Sequence, residues 1–248
     1  MNFLTHVLHL AGSGAFAYYS AAQIRDSKTR PNILAGFQLA ESGSVPFLSA
    51  LSDRASAEGD TWLGEELAKH ASDETRHGHI FAHALKQLNK QVIDFKRQPQ
   101  TTSTKKSQQR SPFFAAFFEG YTQEQLKPAV IDWDVFMAST YILELDASKD
   151  FERMAKVLPD NEPSARNLKL GMLSIAQDET GHAAYLYEAM MQRMSVAEVQ
   201  KLVDMWRTRK VNALLAMVGG IFQGNGETRS LVQDSAPSEI DSELLATS

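Results

Sequence analysis

The chain has 248 residues, 43% of them hydrophobic and 22% charged, with a net charge of −5. That is room for one sizeable domain with a filled core, or at most two small ones, and the acidic balance excludes an overall polyanion binder while leaving local basic patches open. There is no cysteine, so disulfides, thiolate metal sites and iron–sulfur clusters are excluded, and any metal must be held by nitrogen and oxygen.

Residues 1–26 read as a helix, apolar on one side, closing near Arg25-Asp26-Ser27. No basic region precedes an apolar stretch, Ser13, Tyr18 and Tyr19 interrupt it, and no run reaches the roughly 18 apolar residues of a membrane span. A cytoplasmic protein with no membrane segment is the expectation. Pro31 suits the first turn of a second helix running to about Ser56, with Pro46 expected to kink it. Ala57-Glu58-Gly59-Asp60 makes a turn, and Thr61 is expected to cap a third helix predicted to reach about Phe95. Residues 96–111 are polar and nearly free of apolar anchors, which predicts a mobile loop; Lys96–Arg110 carries five positive charges and no acid, a solvated loop or a landing site for an acidic carrier protein or RNA.

Residues 113–119, FFAAFFE, are apolar enough to dock on a core. A long helix is predicted from about Thr122 to Leu158, firmest after Pro128, then a turn at Pro159–Pro163, a helix from Ser164 to Met194 and another from Ser195 to about Phe222. Residues 224–248 turn to glycine, serine and acids and are expected to form a disordered tail. With no convincing strand series, the fold class is all-α: a single domain over 1–223, a four-helix bundle with extra N- and C-terminal helices.

Two segments carry the chemistry, Asp73-Glu74-Thr75-Arg76-His77 and Asp178-Glu179-Thr180-Gly181-His182. Each sets a histidine three residues after a glutamate, about 60° around a helix, so both side chains face one neighbour. One Glu-x-x-His is a weak signal: 16 glutamates and 7 histidines in 248 residues give about half an occurrence by chance. Two copies with the same Asp-Glu-Thr opening are another matter. In an antiparallel helix pair, residues equidistant from the turn lie level. Glu41 and Glu74 are equidistant from the turn at Ala57-Glu58, and Glu144 and Glu179 from the turn at Asn161-Glu162. Each hairpin therefore presents a glutamate opposite a Glu-x-x-His, and Glu41, Glu74, His77, Glu144, Glu179 and His182 make a six-ligand site. Four carboxylates buried together repel and are costly to desolvate. Two divalent cations neutralise them, and carboxylate with imidazole suits iron. A set of surface salt-bridging residues would leave both coincidences unexplained.

On these residues the chain resembles the ferritin-like di-iron carboxylate superfamily over roughly residues 30–195, matching its ligand set one for one. Asp-Glu-x-Arg-His at 73–77 is most similar to the oxygen-activating branch: acyl-carrier desaturases, bacterial multicomponent monooxygenases and arylamine N-oxygenases. The spacing and the FFAAFFEGY stretch also resemble cyanobacterial aldehyde-deformylating oxygenase. Gly181 stands where the first motif has Arg76. The resemblance implies two Fe ions and an O2-activating oxidase or oxygenase for a small, hydrophobic organic substrate. An external electron donor is implied too, since the chain has no flavin motif. The alternative is a ferroxidase, an iron-storage protein or a peroxide scavenger of the same fold; homo-oligomerisation stays open.

The resemblance further implies that Asp73 and Asp178 hydrogen-bond the outer nitrogens of ligand histidines, with Arg76 anchoring either aspartate. The alternative for both is a cap or a solvent-facing role. His70, four residues before Glu74, lies within about 20° of His77 around the helix. The arylamine N-oxygenases have an extra histidine at that offset in their second motif, where this chain has Ile175. His70 is a third nitrogen ligand or a supporting core histidine. One turn from the ligands, helical spacing selects Phe37, Val45, Phe81, Met137, Thr140, Met172, Ile175 and Leu186 as a candidate apolar substrate cavity or ordinary core.

Overall fold

The computed structural model describes residues 3–94, 111–223 and 230–235. Seven α-helices carry these residues: α1 (Phe3–Arg25), α2 (Arg30–Ala57), α3 (Thr61–Gln87), α4 (Pro112–Phe117), α5 (Trp133–Val157), α6 (Pro163–Arg193) and α7 (Val196–Gln223), with a 3-10 turn at Glu124–Leu126. The fold is all-α, its helices packed in pairs. α2 pairs with α3 and α5 with α6, each across a short turn, and α3 of one hairpin meets α6 of the other. α1 packs on α2, α5 and α7, and α4 on α7.

The helix ends follow local chemistry. Gly59 takes the left-handed backbone at φ 92° that turns α2 into α3, and the Asp60 carboxylate, not the expected Thr61 hydroxyl, caps α3 by accepting from the Leu63 N–H at 3.1 Å. Asp132 caps α5 by accepting from the Asp134 and Val135 N–H groups, while Ser195 and Glu198 form a reciprocal capping box before α7.

Side chains then lock the two hairpins together at both ends. Buried Arg30 donates to the Ile24 and Arg25 carbonyls at the α1–α2 corner and reaches Glu162, before α6, at 3.1 Å. At the other end Arg54 of α2 donates to the Pro128 and Ile131 carbonyls, 3.1 and 2.7 Å away, and stacks 4.5 Å from the Trp133 ring. These clamps hold α2 and α5 in register.

Three boundaries depart from the sequence reading. α3 stops at Gln87, not Phe95, because Asn89 adopts a left-handed φ of 54° and Lys90–Val92 becomes β1. This strand pairs antiparallel with β2 (Val232–Asp234), Val92 opposite Val232 and Lys90 opposite Asp234, its ion-pair partner. Residues 230–235, expected within a disordered tail, are therefore ordered by that ladder, and the Leu231 N–H donates to Asn32 at 2.6 Å. Third, α5 begins at Trp133 and not near Thr122, since the backbone carbonyls of Pro128 and Ile131 are turned to Arg54 and Asp132 caps the helix. The basic loop expected at 96–111, but for Ser111, and the tail outside 230–235 lie outside the described residues.

Two apolar clusters fill the interior. One gathers Leu48, Leu67, Ile142, Leu186, Phe117 and Trp206. The other gathers Leu34, Phe81, Phe151, Met172 and Ile175. On every one of α2, α3, α5 and α6 the chain passes from one cluster to the other, and the residues between them are where the charged side chains sit. No described helix is long and apolar enough to cross a membrane.

Candidate metal centre

Glu41 of α2, Glu74 and His77 of α3, Glu144 of α5, and Glu179 and His182 of α6 meet in that middle layer. His77 is fully buried, Glu179 is 1% exposed, and Glu74 and His182 are buried too. The structure brings them into two overlapping groups able to hold a metal: Glu41, Glu74, His77 and Glu179, and His70, Glu74, Glu144 and His182. Within each group the ligand atoms all lie within 4.8 Å of one another, and Glu74 belongs to both. All six residues selected by the repeated motif and its reflection through the turns are among them, and His70 joins them.

The spacing around His77 suits shared ions better than hydrogen bonds. His77 Nδ1 faces carboxylate oxygens of Glu179, Glu74 and Glu41 at 3.4, 3.7 and 3.9 Å, too long for N–H···O bonds, and this buried atom has no hydrogen-bond partner. A buried nitrogen ringed by three carboxylates and bonded to none needs an explanation. Bonds of about 2.1 Å from one ion put neighbouring ligands about 3.0–3.4 Å apart. Within the two groups, the contacts of His77 Nδ1 with Glu179, at 3.4 Å, and of His70 Nε2 with Glu74, at 3.3 Å, fall in that range. The residues fit a metal centre.

Electrostatics shows what occupies the layer when no metal does. Burial drives the Glu41 and Glu144 carboxyls well above the usual range, and the nearby Glu74 and Glu179 add to the shift. Burial also opposes ionisation of Glu179 and His77, but here neighbours win: the nearby Glu144, His182 and His77 side chains hold Glu179 at about 2, and the Glu179, Glu41 and Glu74 carboxylates push His77 up to about 12. Without metal, protons supply the missing positive charge. Two divalent cations would neutralise four carboxylates and displace those protons.

On the α3–α6 side the histidines are held from outside, reciprocally. His77 Nε2 lies 3.2 Å from Asp178 Oδ2, and His182 Nε2 lies 3.3 Å from Asp73 Oδ2. Each helix's aspartate thus orients the other helix's histidine and turns its Nδ1 inward. Arg76 sits between the two aspartates, paired closely with Asp178, 3.6 Å from Asp73 and 3.2 Å from Ser174 Oγ. One guanidinium reaches both aspartates, which accounts for the second motif managing with Gly181. Close helix contact makes this possible: a Cβ on Gly171 of α6 would sit 2.6 Å from Ile80 Cγ2 of α3.

The opposite side opens onto a cavity of about 800 Å3 between α1, α2, α4, α5 and α7. Glu41, His70, Glu74, Glu144 and Glu179 form one patch of its wall; eight phenylalanines dominate the rest, and outside the site its charged lining residues are Asp150 and Lys210. Of the apolar ring expected from helical spacing, Phe37 and Thr140 line it. Phe81, Met137, Met172, Ile175 and Leu186 are instead fully buried in the two core clusters, and Val45 is half-buried on α2. Helical spacing selects residues all round the ligands, whereas the cavity lies only where α1, α4 and α7 stand off the hairpins. Sequence reasoning missed Ser44, whose hydroxyl lies 3.0 Å from Glu74 Oε2, and Tyr185, whose hydroxyl lies 2.9 Å from His70 Nδ1. Position i+3 from His182 marks Tyr185 as sharing the ligand face.

No protein-family model, curated protein or solved structure matches the chain.

Proposed function

We propose that this chain is a ferritin-like di-iron oxidase or oxygenase that uses O2 to oxidise a small, hydrophobic organic molecule. The observation that carries the reading is the junction of two features: a buried carboxylate–histidine layer fit for two metal ions, and a largely apolar cavity of about 800 Å3 that includes five of its residues in the wall. Two Fe ions bound there would supply the electrons that O2 needs. Glu41, Glu74, Glu144 and Glu179 supply the four negative charges that hold the ions. His77 and His182 add nitrogen donors, kept in one tautomer by Asp178 and Asp73. The phenylalanine walls exclude water and give an apolar guest its binding energy. Electrons for repeated turnover come from an external donor, because a chain without cysteine carries no iron–sulfur or rubredoxin-type centre of its own.

The test is to load the purified chain anaerobically with Fe(II), admit air, and follow O2 uptake, iron retention and particle size. Binding that stops at about two iron ions per chain, with O2 uptake sustained by a reductant and stimulated by small hydrophobic compounds, supports the proposal. Many iron atoms retained per chain in a large shell would replace it with iron storage, and a folded chain that binds no iron would end it.

A further inference from the structure

The two metal positions differ in their donors because of a residue outside the repeat. The group around His77 has one nitrogen and three carboxylates, Glu41, Glu74 and Glu179. The group around His182 has Glu74 and Glu144 as carboxylates and two imidazoles, His70 and His182. His70 is 1% exposed. Its ring stacks on that of His182 with centroids 3.6 Å apart, and its Nε2 lies 3.3 Å from Glu74 and 3.7 Å from Glu144. It also repeats, in mirrored form, the arrangement of the other two histidines. They point Nδ1 inward and offer Nε2 to an aspartate; His70 points Nε2 inward and offers Nδ1 to the Tyr185 hydroxyl at 2.9 Å. Tyr185 is itself buried. Among the three histidines, His70 alone lines the cavity.

We infer that His70 is a seventh metal ligand, binding through Nε2, with Tyr185 accepting from its Nδ1–H to fix that tautomer, so that the two metal positions are chemically unequal. This rests on the metal reading above. The alternative role for His70, donating Nε2–H to Glu74 and Glu144, requires the opposite tautomer, with Tyr185 donating to Nδ1. The two roles use the same heavy-atom distances and differ in one proton, so they separate only when metal is bound. A nitrogen-rich position suits iron and later first-row ions, and a carboxylate-rich one suits harder ions such as Mn(II). Inequality between the positions is therefore a consequence of the donor set.

The experiment uses the full chain loaded anaerobically with 57Fe(II). Wild type should bind two ions and show two distinct Mössbauer quadrupole doublets. His70→Gln keeps a hydrogen-bonding side chain but offers no imidazole; it should weaken one of the two binding steps about tenfold or more and shift one doublet, leaving the other in place. Tyr185→Phe should move the same step in the same direction by less. Because a buried substitution can unfold a chain, a second measurement uses wild type alone: electron-nuclear double resonance on the one-electron-oxidised centre should count three coupled histidine nitrogens. Two coupled nitrogens, or a folded His70→Gln chain with both affinities and both doublets unchanged, would overturn the inference while leaving the di-iron proposal intact. Failure of wild type to bind two ions at all would sink the proposal itself, and this inference with it.

Discussion

Replacing Asp178 by Asn tests the outer support of the site more sharply than removing a ligand, because it changes charge and hydrogen-bond character while keeping size. Asp178 serves two partners at once. It lies 3.2 Å from His77 Nε2 and pairs closely with Arg76. Asp73, its counterpart, is 3.3 Å from His182 Nε2 but 3.6 Å from Arg76, a weaker tie. Loss of a partner that orients a ligand histidine typically weakens metal binding by about 10–100-fold, roughly 1.4–2.7 kcal/mol. The closer Arg76 contact places Asp178→Asn toward the upper end of that range and Asp73→Asn toward the lower. The assay is competition for Co(II) or Fe(II) against a chelator of known affinity, with circular dichroism to show that both variants remain helical. Equal and unchanged affinities in the two variants would show that the aspartates merely face solvent. A larger loss in Asp73→Asn would show that the Arg76 contact contributes nothing to orientation.

Three further outcomes are expected. The metal-free chain should melt at progressively lower temperature as pH rises from 7 to 9. His77, held at about 12 against burial by three carboxylates, keeps in the folded state a proton that the unfolded chain releases above about 6.5. Glu41 and Glu144, raised mainly by burial, act in the same sense, while His70, lowered mainly by burial, opposes them only below about 6.5; a melting temperature that rises over that interval refutes the assignment. Gly171→Ala should destabilise despite a helix-propensity gain of up to about 1 kcal/mol, because forcing a methyl against Ile80 Cγ2 at 2.6 Å costs about 1–3 kcal/mol; a raised melting temperature would contradict it. Lys210→Met should cost about 1.5–3 kcal/mol by taking the ammonium from its 2.6 Å pair with buried Asp146. The double variant with Asp146→Leu should recover most of that, as read by urea denaturation.

The hairpins and their ligand layer were legible because they depend on local rules. Gly59 and the prolines mark turns, and two residues equidistant from a turn face each other whatever else the chain does. That logic reaches Glu41 and Glu144, which carry no motif of their own. It does not reach the end of α3, where a partner strand some 140 residues away in sequence, at Val232–Asp234, competes with helix propensity. Nor does it reach the cavity, whose shape is set by how α1, α4 and α7 rest on the hairpins. Helical spacing could say that Phe81 and Ile175 lie near the ligands, but not that both sit in the core while Phe37 borders open space. For His70 the spacing put the ring on the ligand face, and only the position of α5 brings Glu144 within 3.7 Å of it.

The layer's two sides do different work, and the division follows from packing density. Between α3 and α6 a methyl on Gly171 would meet the Ile80 side chain at 2.6 Å, and short Asp-to-His contacts and one bridging arginine cover the two histidines. Rigidity there keeps the histidine nitrogens aimed inward. Toward α1, α4 and α7 the hairpins are covered by helices that stand off, and away from the carboxylate–histidine patch the resulting space is lined mostly by apolar side chains. Glu41 and Glu144 belong to this open side: 12% and 15% of their side-chain surface remains exposed, against 0% for His77 and 2% for Glu179. Carboxylates with free volume beside them can change binding mode, whereas those packed between helices cannot. Among the carboxylates, Glu41 and Glu144 thus keep the most room beside the cavity, which is what the proposed function would ask of ligands that shift when a small molecule arrives from that side.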